Sequence, residues 1–210
     1  MVLSLSGCSF INFSANYYRP PANYQQEIVL IWKNLTAQIP LKYDYKISII
    51  GGKDSDRLNG VPAISERNVL LPGDFVKYVY QNYYDDRSKI FSSVIIHEIA
   101  HVEFDLPSKP VEKHVETDMR AIQLLGGGES TVRYYYRSLY AMKNYWFARK
   151  GVAGHALNAG WNALNLGSLA LGGPAAFIDW YATDLEKRMG LIAKHYGLRA
   201  RGPFKRSRQK

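Results

Sequence analysis

Three ionisable side chains stand together in an apolar run: Val94-Ile95-Ile96-His97-Glu98-Ile99-Ala100-His101-Val102. Placed on a helix, positions i and i+4 share one face, so His97 and His101 can offer two imidazoles to a single metal ion. Glu98 sits one residue round the helix, within reach of a water held at such a metal. Zinc lowers the pKa of that water from 15.7 to around 7, and an adjacent carboxylate takes its proton. The HExxH pattern fixes only three positions and is a weak signal by itself. The apolar flanks strengthen it, because a buried helix has no ordinary reason to gather three ionisable groups without partners.

A catalytic zinc ion needs a third protein ligand and one open position. The next helical segment, VEKHVETDMRAIQLL, offers Glu112, His114 and Glu116. Val111, His114, Val115, Asp118, Ala121, Ile122 and Leu125 form one stripe at i, i+3, i+4 spacing and should face the core. Glu112, Glu116, Arg120 and Gln123 fall on the wetter face, where Glu116 and Arg120 suit an i, i+4 pair. The phase favours His114 as third ligand, with Glu116 and Glu112 as the alternatives. Asp118, one turn on, is expected to hydrogen-bond and orient that third imidazole.

Residues 45 to 125 resemble the gluzincin peptidases of the HtpX and CAAX-prenyl-protease kind. In that family HExxH is followed by a helix with a glutamate ligand and an aspartate four residues later. Here Glu116-Thr117-Asp118-Met119-Arg120-Ala121 matches the second half of that pattern. Upstream, Asn68-Val69-Leu70-Leu71-Pro72-Gly73-Asp74 resembles the family's strand beside the active site. Aligning Asp118 with the family aspartate puts His114 at the ligand position, while Glu116 stays an alternative. The short connection after His101 is similar to that of compact minigluzincins. The resemblance implies a zinc endopeptidase with one ion, Glu98 as general base and later acid, and a protein or peptide substrate. It also implies that the strand ending at Leu71 presents a free edge to an extended peptide, unless its own loops cover it. A further donor to the tetrahedral intermediate could come from Tyr134, Tyr135, Tyr136, His155 or His195, although a tyrosine stripe more often packs than reacts.

The elements that must position these groups can be read from period and punctuation. Apolar positions between Tyr24 and Leu35 recur at helical spacing, and YDYKISII (43–50) alternates as a strand up to Gly51-Gly52. Residues 60–71 suit a second and third strand. Residues 75–104 read as helix, broken near Tyr83–Asp86, with Asp85 or Asp86 as cap. Pro110 suits the first turn of the next helix, from Val111 to Leu125, which stops at three glycines. A tyrosine-rich helix follows over 130–150. The fold class expected is α+β: a small β-sheet packed on a helical core with the HExxH helix, plus a C-terminal helical extension. The divisions are a lipobox-like start and tether (1–23), a zincin-like metallopeptidase domain (24–150), a Gly/Ala-rich helical extension (151–197) and a basic tail (198–210).

At 210 residues, 47% hydrophobic and 21% charged, the chain is globular in composition. Its formal charge of +9 does not imply a nucleic-acid partner, because the tail LRARGPFKRSRQK supplies six of those charges. No RNA- or DNA-binding motif accompanies the tail, and no nucleic acid is expected. The single cysteine excludes an internal disulfide. Leu5-Ser6-Gly7-Cys8 resembles the lipobox of bacterial lipoproteins, although only seven uncharged residues precede Cys8. That resemblance implies lipidation at Cys8 and a membrane-anchored place in the bacterial cell envelope, facing the periplasm or exterior. The basic tail adds a second means of membrane association. The run from 151 to 178 is uncharged but broken by Asn158, Asn162, Asn165 and His155, which argues against a membrane span. From a different class comes the alternative of a catalytically inactive zincin-like protein that binds partners, or a membrane, without turnover.

Overall fold

The computed structural model describes residues 20–51, 54–55, 58–149 and 180–198. Cys8 and the start of the tether, the uncharged run with His155, and nearly all of the basic tail lie outside the described residues.

An apolar stripe on α1 (Ala22–Gln38) buries Ile28 and Ile31. Strand β1 (Lys46–Ile50) follows, then β2 (Ala63–Ser65) and β3 (Asn68–Pro72). The last two are joined by Glu66-Arg67, both at positive φ (48 and 64). That is the backbone a type I′ hairpin turn requires, here without the usual Asn-Gly signal. The order is β1-β3-β2, with β1 parallel and β2 antiparallel to β3. This corrects the expectation of a free edge at β3: it is the central strand, hydrogen-bonded on both sides. The edges of the sheet are β1 and the three-residue β2.

Helix α2 (Gly73–Asn82) leaves β3 directly at Pro72. A single 3₁₀ turn (Tyr84–Asp86) then leads into α3 (Arg87–Glu103), as the predicted break requires. Asp86 stands at the N-cap of α3 but makes no side-chain capping bond; its carboxylate pairs with Arg137 at 2.5 Å. Helices α4 (Val111–Leu124), α5 (Glu129–Arg149) and α6 (Trp180–His195) complete the described chain.

The class is α+β: among the described residues, a three-stranded mixed sheet accompanies six helices. Helix α3 lies at the centre, against α1, α2, α4, α5, β2 and β3. Ile95, Ile96, Ile99 and Ala100 are wholly buried there. Burying a side chain of isoleucine size contributes about 1.5–3 kcal/mol, so this helix anchors the core. Helix α6 packs on α4 and α5, and buries Tyr181, Ala182, Leu185, Met189 and Ile192 in the same core. It is part of the domain's core, whereas the sequence division placed it in an extension beyond residue 150. No helix among the described residues is long and apolar enough to cross a membrane.

Candidate metal centre

His97 and His101 come from the middle and last turn of α3, and His114 from the first turn of α4. Each ring has its Nδ1 facing an oxygen, within hydrogen-bond distance at His97 and His101 and more loosely at His114. The Nδ1 of His97 lies 2.9 Å from Asp118 Oδ1 and 2.8 Å from the Tyr135 hydroxyl. Tyr135 in turn donates its O–H to Asp118 at 2.7 Å. The Nδ1 of His101 donates to the Leu106 carbonyl at 2.7 Å. Asp105, at φ 52, turns the chain so that this carbonyl faces back, and the Leu106 N–H closes on the His101 carbonyl at 3.0 Å. The Nδ1 of His114 lies 3.4 Å from Asp184 Oδ2.

With every Nδ1 occupied, the Nε2 atoms are left to converge. Those of His97 and His114 are 2.9 Å apart, and ligand atoms of all three residues lie within 4.8 Å of one another. Two lone pairs at 2.9 Å repel unless a cation lies between them or one ring takes the other tautomer. Tetrahedral zinc with Zn–N of 2.0–2.1 Å would hold two nitrogens about 3.3 Å apart. The donor set therefore fits a zinc-sized ion after shifts of a few tenths of an ångström at His97 and His114, and a closer approach by His101.

The protonation states suit the same purpose. Burial lowers His97 well below the usual imidazole range, and the Arg188 guanidinium lowers it further, against the pull of Asp118. Burial takes His101 down to about 4 despite its bond to Leu106. Burial and Arg188 also lower His114. All three are neutral near pH 7, so protons do not compete with a metal. Burial would raise Asp118, but Arg188 and His97 hold it well below the carboxylate range. Arg188 binds it through Nε at 2.8 Å and Nη2 at 2.6 Å, and reaches Asp184 through Nη1 at 3.5 Å. Its Nη2 also lies 3.4 Å from the Nε2 of His97, so two carboxylates and one guanidinium, with a formal charge of −1 in sum, stand around the three neutral imidazoles. Glu98 is 7% exposed, and burial raises it to about 8 in the metal-free protein.

Comparison with known proteins finds no match: no family model, no curated protein and no solved structure corresponds to this chain.

The residues singled out in the sequence fall as follows. His97, His101 and His114 come together, and Glu98 is buried on the same helix as the first two, within the field of Asp118 and Arg188. Glu112 is exposed, and Glu116 pairs with Lys113 at 3.4 Å on the outer face of α4. Arg120 donates to Gln123 and does not pair with Glu116. Asp118 is at the site but behind His97, which corrects its assignment to the third ligand. Counting i+4 from His114 finds the right carboxylate, but the crossing of α3 and α4 decides which ring it meets. Among the tyrosines, Tyr135 reaches the site. Tyr134 lies under the Lys89 ammonium at the surface, and His195 is exposed at the end of α6.

Sequence reasoning missed Asp184 and Arg188, both on α6. A signal was there: Tyr181, Leu185, Arg188 and Ile192 share one helical stripe, which sets a guanidinium among apolar residues. A buried arginine demands a carboxylate partner, and that requirement leads back to Asp118.

Proposed function

We propose that this chain is a zinc-dependent endopeptidase. The observation that carries the reading is the convergence of three neutral imidazoles, His97, His101 and His114, with Glu98 buried next in sequence to His97. His97, His101 and His114 would hold one zinc ion. That ion supplies Lewis acidity toward a peptide carbonyl and makes water a nucleophile at neutral pH. Asp118, Tyr135 and Arg188 keep the His97 ring in one tautomer and one orientation, and the turn at Asp105–Leu106 does the same for His101. Glu98 takes a proton from the attacking water on its carboxylate and returns it to the departing amine. Burial raises Glu98 to about 8 in the metal-free protein, which strengthens it as a proton acceptor. A cation beside it would draw it back toward 7, where a carboxyl group both accepts and gives up a proton readily.

The substrate class proposed, a peptide bond, rests on the resemblance of His97-Glu98-Ile99-Ala100-His101 and Asn68–Asp74 to the gluzincin pattern. Attachment to a bacterial envelope through Cys8 belongs to this proposal too, resting on Leu5-Ser6-Gly7-Cys8 alone.

The test is elemental analysis and cleavage of an unfolded casein-like protein by wild type, His97→Ala, His114→Ala and Glu116→Ala. Wild type should hold close to one zinc per chain. His97→Ala and His114→Ala should lose zinc and cleavage together, while Glu116→Ala keeps both. Well-folded wild type without zinc would overturn the reading. Zinc in wild type with no cleavage would favour a partner-binding protein.

A further inference from the structure

The oxygens that fix two of the candidate ligands lie close to the HExxH helix in sequence or on its neighbours. Leu106 follows His101 directly, and Asp118 and Tyr135 stand on α4 and α5. The third ligand differs. Among the described residues, the one oxygen on the Nδ1 of His114 is Asp184 Oδ2, which is 70 positions downstream on α6.

We propose that Asp184 is the positioning residue for the third zinc ligand, which makes α6 a part of the metal centre. The inference rests on reading His97, His101 and His114 as that centre. Three observations support it. First, both partners are largely withdrawn from water: the side chains of His114 and Asp184 are 13% and 12% exposed. Second, Asp184 is itself fixed. Arg188 reaches the same Oδ2 at 3.5 Å, one turn along α6, while gripping Asp118 with its other nitrogens. One guanidinium thus ties the carboxylate behind His97 to the carboxylate behind His114. Third, α6 is locked in place by wholly buried Leu185 and Ile192, and by an ion pair between Glu186 and the buried Lys143 of α5.

His114 needs such support more than its fellows do. It sits in the first turn of α4, whose N-cap is Pro110 and which has no side-chain cap. The His114 N–H bonds the Pro110 carbonyl at 3.1 Å, but no side chain holds that end of the helix, where the first N–H groups lack intrahelical partners. A carboxylate on Nδ1–H holds the ring, selects the tautomer with Nε2 unprotonated, and raises the basicity of that nitrogen.

Asp184 could instead serve only as a charge partner for Arg188, and the amide variant separates the two roles. Asp184→Asn keeps an acceptor oxygen for Nδ1–H but brings no charge to Arg188. Asp184→Ala and Asp184→Ser cannot reach the ring. Zinc dissociation constants of the full chain would be measured by competition with a chromophoric chelator. Far-UV circular dichroism and melting in chelator would accompany them, with the visible spectrum of the cobalt(II) form as a report on ligand geometry. We expect Asp184→Ala and Asp184→Ser to bind zinc about 10–100-fold more weakly with unchanged secondary structure and an altered cobalt spectrum. Asp184→Asn should stay close to wild type. Wild-type affinity in either truncation would overturn the proposal. So would equal losses in Asp184→Asn and Asp184→Ala, which assign Asp184 to charge pairing alone, or truncations that fail to fold while Asp184→Asn folds, which assign its polar group to holding the fold and not to tuning the ligand. A wild type that binds no zinc would instead remove the metal centre itself, and this role with it. Zinc binding indifferent to Asp184 would leave the centre standing.

Discussion

At the scale of single residues, Glu98 and the three histidines make opposite demands on proton uptake, and this has a measurable consequence. In the metal-free protein His101 has its pKa lowered from 6.5 to about 4, and His97 and His114 are lowered too. Unfolding lets these rings take up protons below about pH 6.5, so stability is lost as pH falls from there toward 4. Glu98 is raised from 4.5 to about 8. The folded state then holds a proton that the unfolded state releases, and stability is lost as pH rises from 4.5 through 8. Below pH 6.5 three rings outweigh one carboxyl group, and above it Glu98 acts alone. Urea unfolding in chelator across pH 5–8 should therefore show an optimum near 6.5. Glu98→Gln should flatten the alkaline side; an unchanged alkaline slope would show that another group sets it. The same variant should retain zinc and lose about 10²–10⁴ of kcat/KM on a peptide substrate.

At the scale of elements, the Arg188–Asp118 pair joins α6 to α4 across the back of the site. Both side chains are almost fully buried, at 2% and 0% exposure. Removing one partner of such a pair leaves the other charge without enough compensation, a loss of about 3–5 kcal/mol. Asp118→Ala should show that loss by urea unfolding without metal, and should also weaken zinc binding, since the Nδ1 of His97 loses its carboxylate. A loss below about 1 kcal/mol would mean that Asp184 alone satisfies Arg188. A second clamp works at the other end of α3. Glu103 accepts from the Tyr45 hydroxyl at 2.9 Å and the Lys42 N–H at 3.0 Å, which ties the HExxH helix to the segment entering β1.

At the scale of the whole molecule, the site is built by α3, α4, α5 and α6 together, so metal binding and folding are linked. Zinc at 100 times its dissociation constant adds about 2.7 kcal/mol to the folded state. For a chain of this size that is a rise in Tm of about 5–11 °C. The shift should be present in wild type and absent in His97→Ala. Equal shifts in both would place the zinc elsewhere on the protein.

What the sequence determined by itself is local. The HEIAH spacing puts His97 and His101 on one face of one helix, because 3.6 residues per turn leaves no other arrangement. The amphipathic phase of residues 111–125 turns His114 and Asp118 inward and Glu116 outward by the same rule. The break near Tyr83–Asp86 and the stop at Gly126 could be placed from local composition, although the cap expected of Asp86 does not form. Only the tertiary structure decided the rest. Strand order made β3 central, because pairing partners depend on long-range packing that alternation along a single strand does not encode. The crossing of α3 and α4 gave Asp118 to His97. The docking of α6 brought Asp184 and Arg188 to a site 70 or more residues away in sequence. Helical periodicity specifies which face of a helix is buried, but not which neighbour buries it, and in this protein the neighbour supplies the groups that hold the ligands in place.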